Sequence, residues 1–176
     1  MRTPYCVIMA GGIGSRFWPM STEETPKQFL DFLGTGESLI QQTYNRVRRI
    51  FSPENIIVVT HANYYLQTIE HLPELPESNI ILEPLRRNTA PCIAYAALKI
   101  KKRDPKANIF ITPADHLISD EDAFEAQIRK GLEKTENSDC FVTIGIKPHK
   151  PETGYGYIQY DELRSEGDVY AVKAFT

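Results

Sequence analysis

The sequence predicts an α/β fold: a Rossmann-like, mostly parallel sheet flanked by helices, followed by a C-terminal antiparallel strand pair. Three observations carry that prediction. Short apolar runs alternate four times with stretches of helical periodicity, the order that a parallel sheet with crossover helices requires. The first run, residues 5–10, is continuously apolar, as expected for a strand covered on both faces. The last two runs are separated only by a polar turn, which suits antiparallel neighbours.

The first strand, 5–10, is cut by Gly11-Gly12-Ile13-Gly14, a turn that must be tight. Over 38–51 the apolar residues Ile40, Tyr44, Val47 and Phe51 recur at helical spacing. Residues 55–60 read as the second strand and 62–72 as a short helix. A loop punctuated by Pro73 and Pro76 leads to a third strand over 79–83, ended by Pro84. Thr89 is the expected N-cap of a helix reaching about residue 103, with Ile93, Ala97 and Ile100 on its inner face. A fourth strand is expected over 108–112. The acidic stretch Ser119-Asp120-Glu121-Asp122 then opens another helix, its charges favouring the positive end. A fifth strand is expected over 140–146, and a strand pair over 156–160 and 169–174.

Composition narrows the class. A chain of 176 residues suits one domain over 1–176, and at that size a core buries enough surface to fold without a staple. Its 20 basic and 23 acidic residues leave a net charge of −3, against broad nucleic-acid binding. Hydrophobic content of 41% excludes wholesale disorder. Three scattered cysteines, Cys6, Cys92 and Cys140, read as reduced, buried apolar residues rather than as disulfides or a zinc site. No apolar run approaches the roughly 20 residues of a membrane span, and nothing before the first strand resembles a signal peptide, so a cytoplasmic protein is expected.

In open parallel sheets ligands bind at the carboxyl ends of the strands, and the unusual residues fall there. After the first strand, Gly11, Gly12 and Gly14 allow backbone N–H groups to converge on an anion, and Arg16 adds a permanent bidentate cation. The dinucleotide fingerprint fails because Phe17 stands where its third glycine belongs, and no phosphate-loop Gly-Lys-Ser/Thr is present. Close behind comes Lys27 in Pro26-Lys27-Gln28-Phe29, a second cation for a polyphosphate, although a lone lysine is ordinarily a solvated surface charge. Glu83 ends the third strand, where a carboxylate can accept hydrogen bonds from a base or sugar. Asn88 and Thr89 open the next helix, and capping alone accounts for Thr89 but not for Glu83 or for Arg86 and Arg87. Asp115, just past the fourth strand, is placed to hold Mg²⁺ or to form an Asx turn, and His116 has no second ligand at metal spacing. Gly154, Tyr155 and Gly156 precede a strand, suiting either a close ligand approach or a bulged hairpin.

These segments, in this order, resemble the sugar-nucleotide pyrophosphorylases and within them the mannose-1-phosphate guanylyltransferases. The resemblance rests on Gly11 to Pro19, Pro26-Lys27-Gln28-Phe29, Glu83 to Pro91, Pro113-Ala114-Asp115-His116 and Gly154 to Ile158, and covers the whole chain. It implies a nucleotide-diphospho-sugar transferase fold and the reaction of GTP with mannose 1-phosphate to GDP-mannose and pyrophosphate, with Mg²⁺. It further implies direct attack of the sugar phosphate on the α-phosphorus, so that catalysis rests on positioning and charge stabilisation. Carried over, Gly11, Gly12, Gly14 and Ser15 would cradle the nucleotide phosphates, and the cations Arg16 and Lys27 would neutralise the α-phosphate and the departing pyrophosphate. Glu83, Asn88 and Thr89 would line the base and ribose pocket, Asp115 would ligate Mg²⁺, and Gly154, Tyr155 and Gly156 would approach the sugar.

The resemblance also implies what is missing. In the family the stretch resembling 172–176 continues into a Glu-Lys-Pro segment that helps hold the sugar phosphate, and a second metal-binding carboxylate follows. The chain is therefore expected to be the amino-terminal part of a nucleotidyltransferase domain, truncated on its C-terminal side. Two alternatives stand beside the leading expectation: a nucleotide-binding module without turnover, and transfer to another sugar 1-phosphate, such as a heptose, or from another base. No nucleic-acid or membrane partner is expected, and a homo-oligomer stays open.

Overall fold

The computed structural model describes residues 2–14, 17–85 and 87–176. The chain divides into two compact units, Met1–Val142 and Thr143–Thr176.

The first unit is built on a four-stranded parallel sheet. Its strands are β1 (Pro4–Met9), β2 (Ile56–His61), β3 (Ile80–Glu83) and β4 (Asn108–Pro113), arranged in the order β3-β2-β1-β4. The helices are α1 (Leu39–Val47), α2 (Tyr65–His71), α3 (Thr89–Arg103) and α4 (Glu121–Asn137). Strand residues alternate between two cores. Cys6, Ile8, Ile56 and Val58 point to one face, where they meet Ile40, Tyr44 and Val47 of α1 and Ile128 of α4. Tyr5, Val7, Ile57 and Val59 point to the other and meet Cys92, Ala96 and Ile100 of α3. This three-layer arrangement explains why β1 and β2 carry no polar alternation: both faces are covered.

The side each helix takes follows from handedness. The first two crossovers run from β1 to β2 and from β2 to β3, whereas the third runs back past β1 to β4. A right-handed crossover in the reverse direction places its helix on the opposite face, where α3 lies. The reversal makes the carboxyl ends of β1 and β4 a topological switch point, the crevice in which such sheets bind ligands.

The expected fold class holds, and several element details change. The buried stripe of α3 is Cys92, Ala96 and Ile100, one residue away from the predicted Ile93–Ala97 line. Its N-cap is Asn88, at φ 65°, and Thr89 is the first helical residue. Residues 140–147 form neither helix nor strand, and Phe141 and Ile146 are exposed. An apolar run becomes a strand only when a neighbour supplies the ladder, and no described strand pairs with it. Cys140 is exposed, whereas Cys6 and Cys92 are buried, and all three are free.

The second unit is an antiparallel hairpin of β5 (Ile158–Glu166) and β6 (Val169–Phe175). The polar stretch expected as a turn lies largely inside β5, with register shifts at Gln159/Tyr160 and Asp161/Ser165, and the chain reverses at Gly167 with φ 61°. No helix among the described residues is long and apolar enough to cross a membrane.

Candidate active site

The glycine loop leaves β1 at its carboxyl end and is tied there by both neighbours. Ala10 N–H donates to the Val59 carbonyl at 2.8 Å, and Ala114 N–H donates to the Met9 carbonyl at 3.0 Å, so the ladders run on past the strand ends. This brings Gly11–Gly14 beside the segment that carries Asp115. Thr43, buried on α1, donates its hydroxyl to the Ala114 carbonyl at 3.1 Å and holds that segment from below.

Behind the loop lies a 3-10 turn, Lys27–Phe29, in which three consecutive side chains do three different things. Phe29 is a core anchor, packed on Tyr64 and His71 with ring centroids 6.0 and 5.1 Å apart. Gln28 is buried and donates from Nε2 to the carbonyls of Ala10 at 2.8 Å and Gly12 at 3.1 Å. Lys27 turns outward, where its ammonium forms an ion pair with the Asp115 carboxylate and lies 5.2 Å from the Phe17 ring centroid. Lys27 is therefore not the solvated surface charge that a lone lysine would be. An apolar anchor on one side and an amide clamp on the other fix where its stem begins.

Two glycines are required by what surrounds them. Gly14 has φ +72°, and a Cβ there would stand 2.8 Å from Lys27 Cγ and 2.9 Å from Lys27 Cβ. A Cβ on Gly11 would stand 2.7 Å from Glu83 Oε2. The loop is thus flanked by the Lys27 stem at one end and by the Glu83 carboxylate at the other. Ser21 Oγ also donates to the Gly14 carbonyl, closing the loop from its far side.

Glu83 ends β3 and is only 8% exposed. Burial, and secondarily the Glu83 charge and its acceptance of the thiol hydrogen bond, push the Cys92 thiol up to about 12. Cys92 belongs to the first turn of α3, so this contact joins the β3 terminus to the helix start. Asn88, the N-cap, and Thr89, the first residue of α3, are both exposed, and the Asn88 side chain makes no cap hydrogen bond. With φ at 65°, Asn88 takes a backbone conformation that asparagine tolerates better than most residues, at a helix N-terminus, where anions are favoured.

The structure therefore brings Gly11, Gly12, Gly14, Lys27, Glu83 and Asp115 to one end of the sheet, with Asn88 and Thr89 following from β3. Ser15, Arg16 and Arg86 lie outside the described residues. His116 is exposed. No group of three or more His, Cys, Asp or Glu side chains suited to a metal occurs among the described residues. A magnesium ion carried largely by substrate phosphates needs only one or two protein carboxylates, and Asp115 already faces a cation, so the residues fit that mode. Two contributors escaped sequence reasoning, Gln28 and Cys92. For Gln28 the only signal was an amide beside Lys27 in a short turn.

Gly154, Tyr155 and Gly156 belong to the second unit. Gly154 N–H donates to Glu152 Oε1 at 3.2 Å, and Tyr157 pairs through its backbone with Thr176 at 2.7 and 2.9 Å. A Cβ on Gly156 would meet the Thr176 carbonyl oxygen at 3.5 Å, an ordinary contact, and Tyr155 is exposed.

Comparison with known proteins bears on what these residues do. A family model described as nucleotidyl transferase matches residues 5–176. A mannose-1-phosphate guanylyltransferase of Escherichia coli is 39% identical over 170 residues, covering 94% of this chain and 36% of that protein. The Salmonella typhimurium mannose-1-phosphate guanylyltransferase RfbM is 43% identical over 173 residues, covering 96% of this chain and 35% of its own length. Among solved structures, a Thermus thermophilus protein described as a mannose-1-phosphate geranyltransferase superposes with a TM-score of 0.84 at 32% identity, covering 98% of this chain and 49% of that one. The chain thus spans about a third of the length of these curated relatives.

Proposed function

Because the chain belongs to the nucleotidyl transferase family, we propose that it forms the nucleotide side of an enzyme that transfers a guanylyl group from GTP to mannose 1-phosphate. A phosphate oxygen of the sugar phosphate attacks the α-phosphorus of GTP. The bond from the α-phosphorus to its bridging oxygen breaks, and GDP-mannose and pyrophosphate result. The observation that carries this reading is the convergence of a glycine loop, Lys27 and Asp115 at the switch point of the sheet.

The sugar phosphate is itself the nucleophile, so no protein nucleophile or proton relay is needed, and the residues at hand supply position and charge. Backbone N–H groups of the loop from Gly11 to Ser15 would bind the phosphates, with Arg16 as their companion cation. The Lys27 ammonium would leave Asp115 for the phosphate chain and offset negative charge as pyrophosphate departs. Glu83 would accept hydrogen bonds from the guanine or ribose, and Asn88 and Thr89 would close the pocket from α3. Mg²⁺ held by Asp115 would supply charge neutralisation at the phosphates. Gly154, Tyr155 and Gly156 would meet the sugar. The named activity of the relatives supports the GTP and mannose 1-phosphate assignment, and such an enzyme works in the cytoplasm.

Pyrophosphate release tests the proposal. Mg²⁺-dependent release from GTP plus mannose 1-phosphate is expected from a longer protein that contains this chain. Release with another sugar 1-phosphate but not with mannose 1-phosphate would overturn the substrate assignment. GTP binding with no turnover on any sugar phosphate would overturn the enzymatic one.

A further inference from the structure

Gln28 is 2% exposed, yet its amide serves no packing purpose that an apolar side chain could not serve better. What it does is commit both Nε2 hydrogens to two carbonyls of the glycine loop, Ala10 at 2.8 Å and Gly12 at 3.1 Å. The buried hydroxyl of Thr60 donates to the same Ala10 oxygen at 3.1 Å. Three donors thus hold two peptide groups of a loop that would otherwise rotate easily. Gly12 has nothing within 4 Å of the place a Cβ would occupy, so sterics do not fix its peptide.

In a trans peptide the C=O and the N–H of the next residue point in opposite directions. The described cis peptide is Trp18-Pro19, so the loop peptides are trans. Holding the Ala10 and Gly12 carbonyls against Gln28 therefore aims the Gly11 and Ile13 N–H groups away from it. Among the described residues neither N–H has a hydrogen-bond partner. We propose that Gln28 is a positioning residue for phosphate recognition, its side-chain amide setting the Gly11 and Ile13 N–H groups as donors to a nucleotide polyphosphate. This rests on the nucleotide reading above and adds to it the residue that orients the loop. It also gives Gln28 a task distinct from that of its neighbour Lys27, which brings charge rather than orientation.

The test separates phosphate from base. Affinities of the chain for GTP, inorganic tripolyphosphate and guanosine are measured for the wild type and for Gln28→Met, which keeps the volume and removes the donors. Loss of one oriented donor set should weaken GTP and tripolyphosphate about tenfold or more while guanosine binding is unchanged. Equal losses for all three ligands, or none, would overturn the proposal, because a merely structural glutamine cannot single out the phosphates. Should circular dichroism show Gln28→Met unfolded, Thr60→Val, which removes the hydroxyl donor to the Ala10 carbonyl without adding charge, takes its place with the same two outcomes. Failure of the wild type itself to bind GTP or tripolyphosphate would instead sink the nucleotide reading.

Discussion

Replacing Gly14 by alanine perturbs the site by a single methyl group, and the structure sets its cost. Two effects add. At φ +72° an L side chain enters the left-handed region, which costs roughly 1–2 kcal/mol. The new methyl would also stand 2.8 and 2.9 Å from Lys27 Cγ and Cβ, inside any real contact distance. Lys27 cannot withdraw as a free surface lysine would, because its turn is held by Gln28 and Phe29. Overpacking of this kind typically costs about 1–3 kcal/mol. Gly14→Ala should therefore destabilise the fold by roughly 2–5 kcal/mol, a large share of the ~5–15 kcal/mol that domains possess. Urea unfolding followed by circular dichroism gives the number. Gly12→Ala is the internal control: with no positive φ and nothing within 4 Å, it should fall within about 0.5 kcal/mol of wild type. If Gly14→Ala proves as mild as Gly12→Ala, the loop does not pack against the Lys27 stem and the reasoning fails.

Other expectations follow from the same geometry. Asp115→Asn removes one partner of a partly exposed ion pair, so the thermal midpoint should change by no more than a few degrees while Mg²⁺-dependent pyrophosphate release in the longer protein is abolished; undiminished release would remove Asp115 from the site. Of the three free thiols only Cys140 is exposed, so a thiol reagent at pH 8 should label it quickly and leave Cys6 and Cys92 unreacted until denaturant is added. Rapid labelling of Cys92 would contradict the buried Glu83–Cys92 contact. His71, 2.8 Å from Ser38 Oγ and against Phe29, has its pKa lowered by burial, an effect that nearby Glu70 partly opposes. Since the folded state resists protonation, stability should decline as pH falls below the unfolded histidine value near ~6.5. His71→Gln should flatten that decline between pH 7.5 and 5.5 in urea midpoints, and an identical slope would refute the assignment.

What the sequence disclosed and what it hid divide along a physical line. Buried parallel strands announce themselves because both faces must be apolar, as in residues 5–10 and 55–60, and glycine or proline marks where they stop. The strand-end location of Glu83 and Asp115 follows directly from that pattern. Periodicity is less exact about a helix's rotation: the Ile93–Ala97 line is expected inside, but packing buries Cys92 and Ala96 instead, and alanines on both sides of α3 let the helix sit one residue round. The cap moved from Thr89 to Asn88 because asparagine tolerates a positive φ, which no local pattern displays. Residues 140–146 have strand composition but no ladder partner, and pairing is a property of two segments rather than one. For the same reason Gln28 stayed hidden. Its role depends on carbonyls 16 and 18 residues earlier in the chain.

The carboxyl ends of β1, β3 and β4 are proposed to form one nucleotide-phosphate site. Titrating the ¹⁵N-labelled chain with GTP and Mg²⁺ and following backbone amide shifts tests it most directly. The largest shifts are expected at Gly11, Gly12, Ile13 and Gly14, with accompanying shifts at Lys27, Gln28, Glu83 and Asp115. Shifts confined to residues outside these strand ends, with the glycine amides unmoved at saturating GTP, would contradict it.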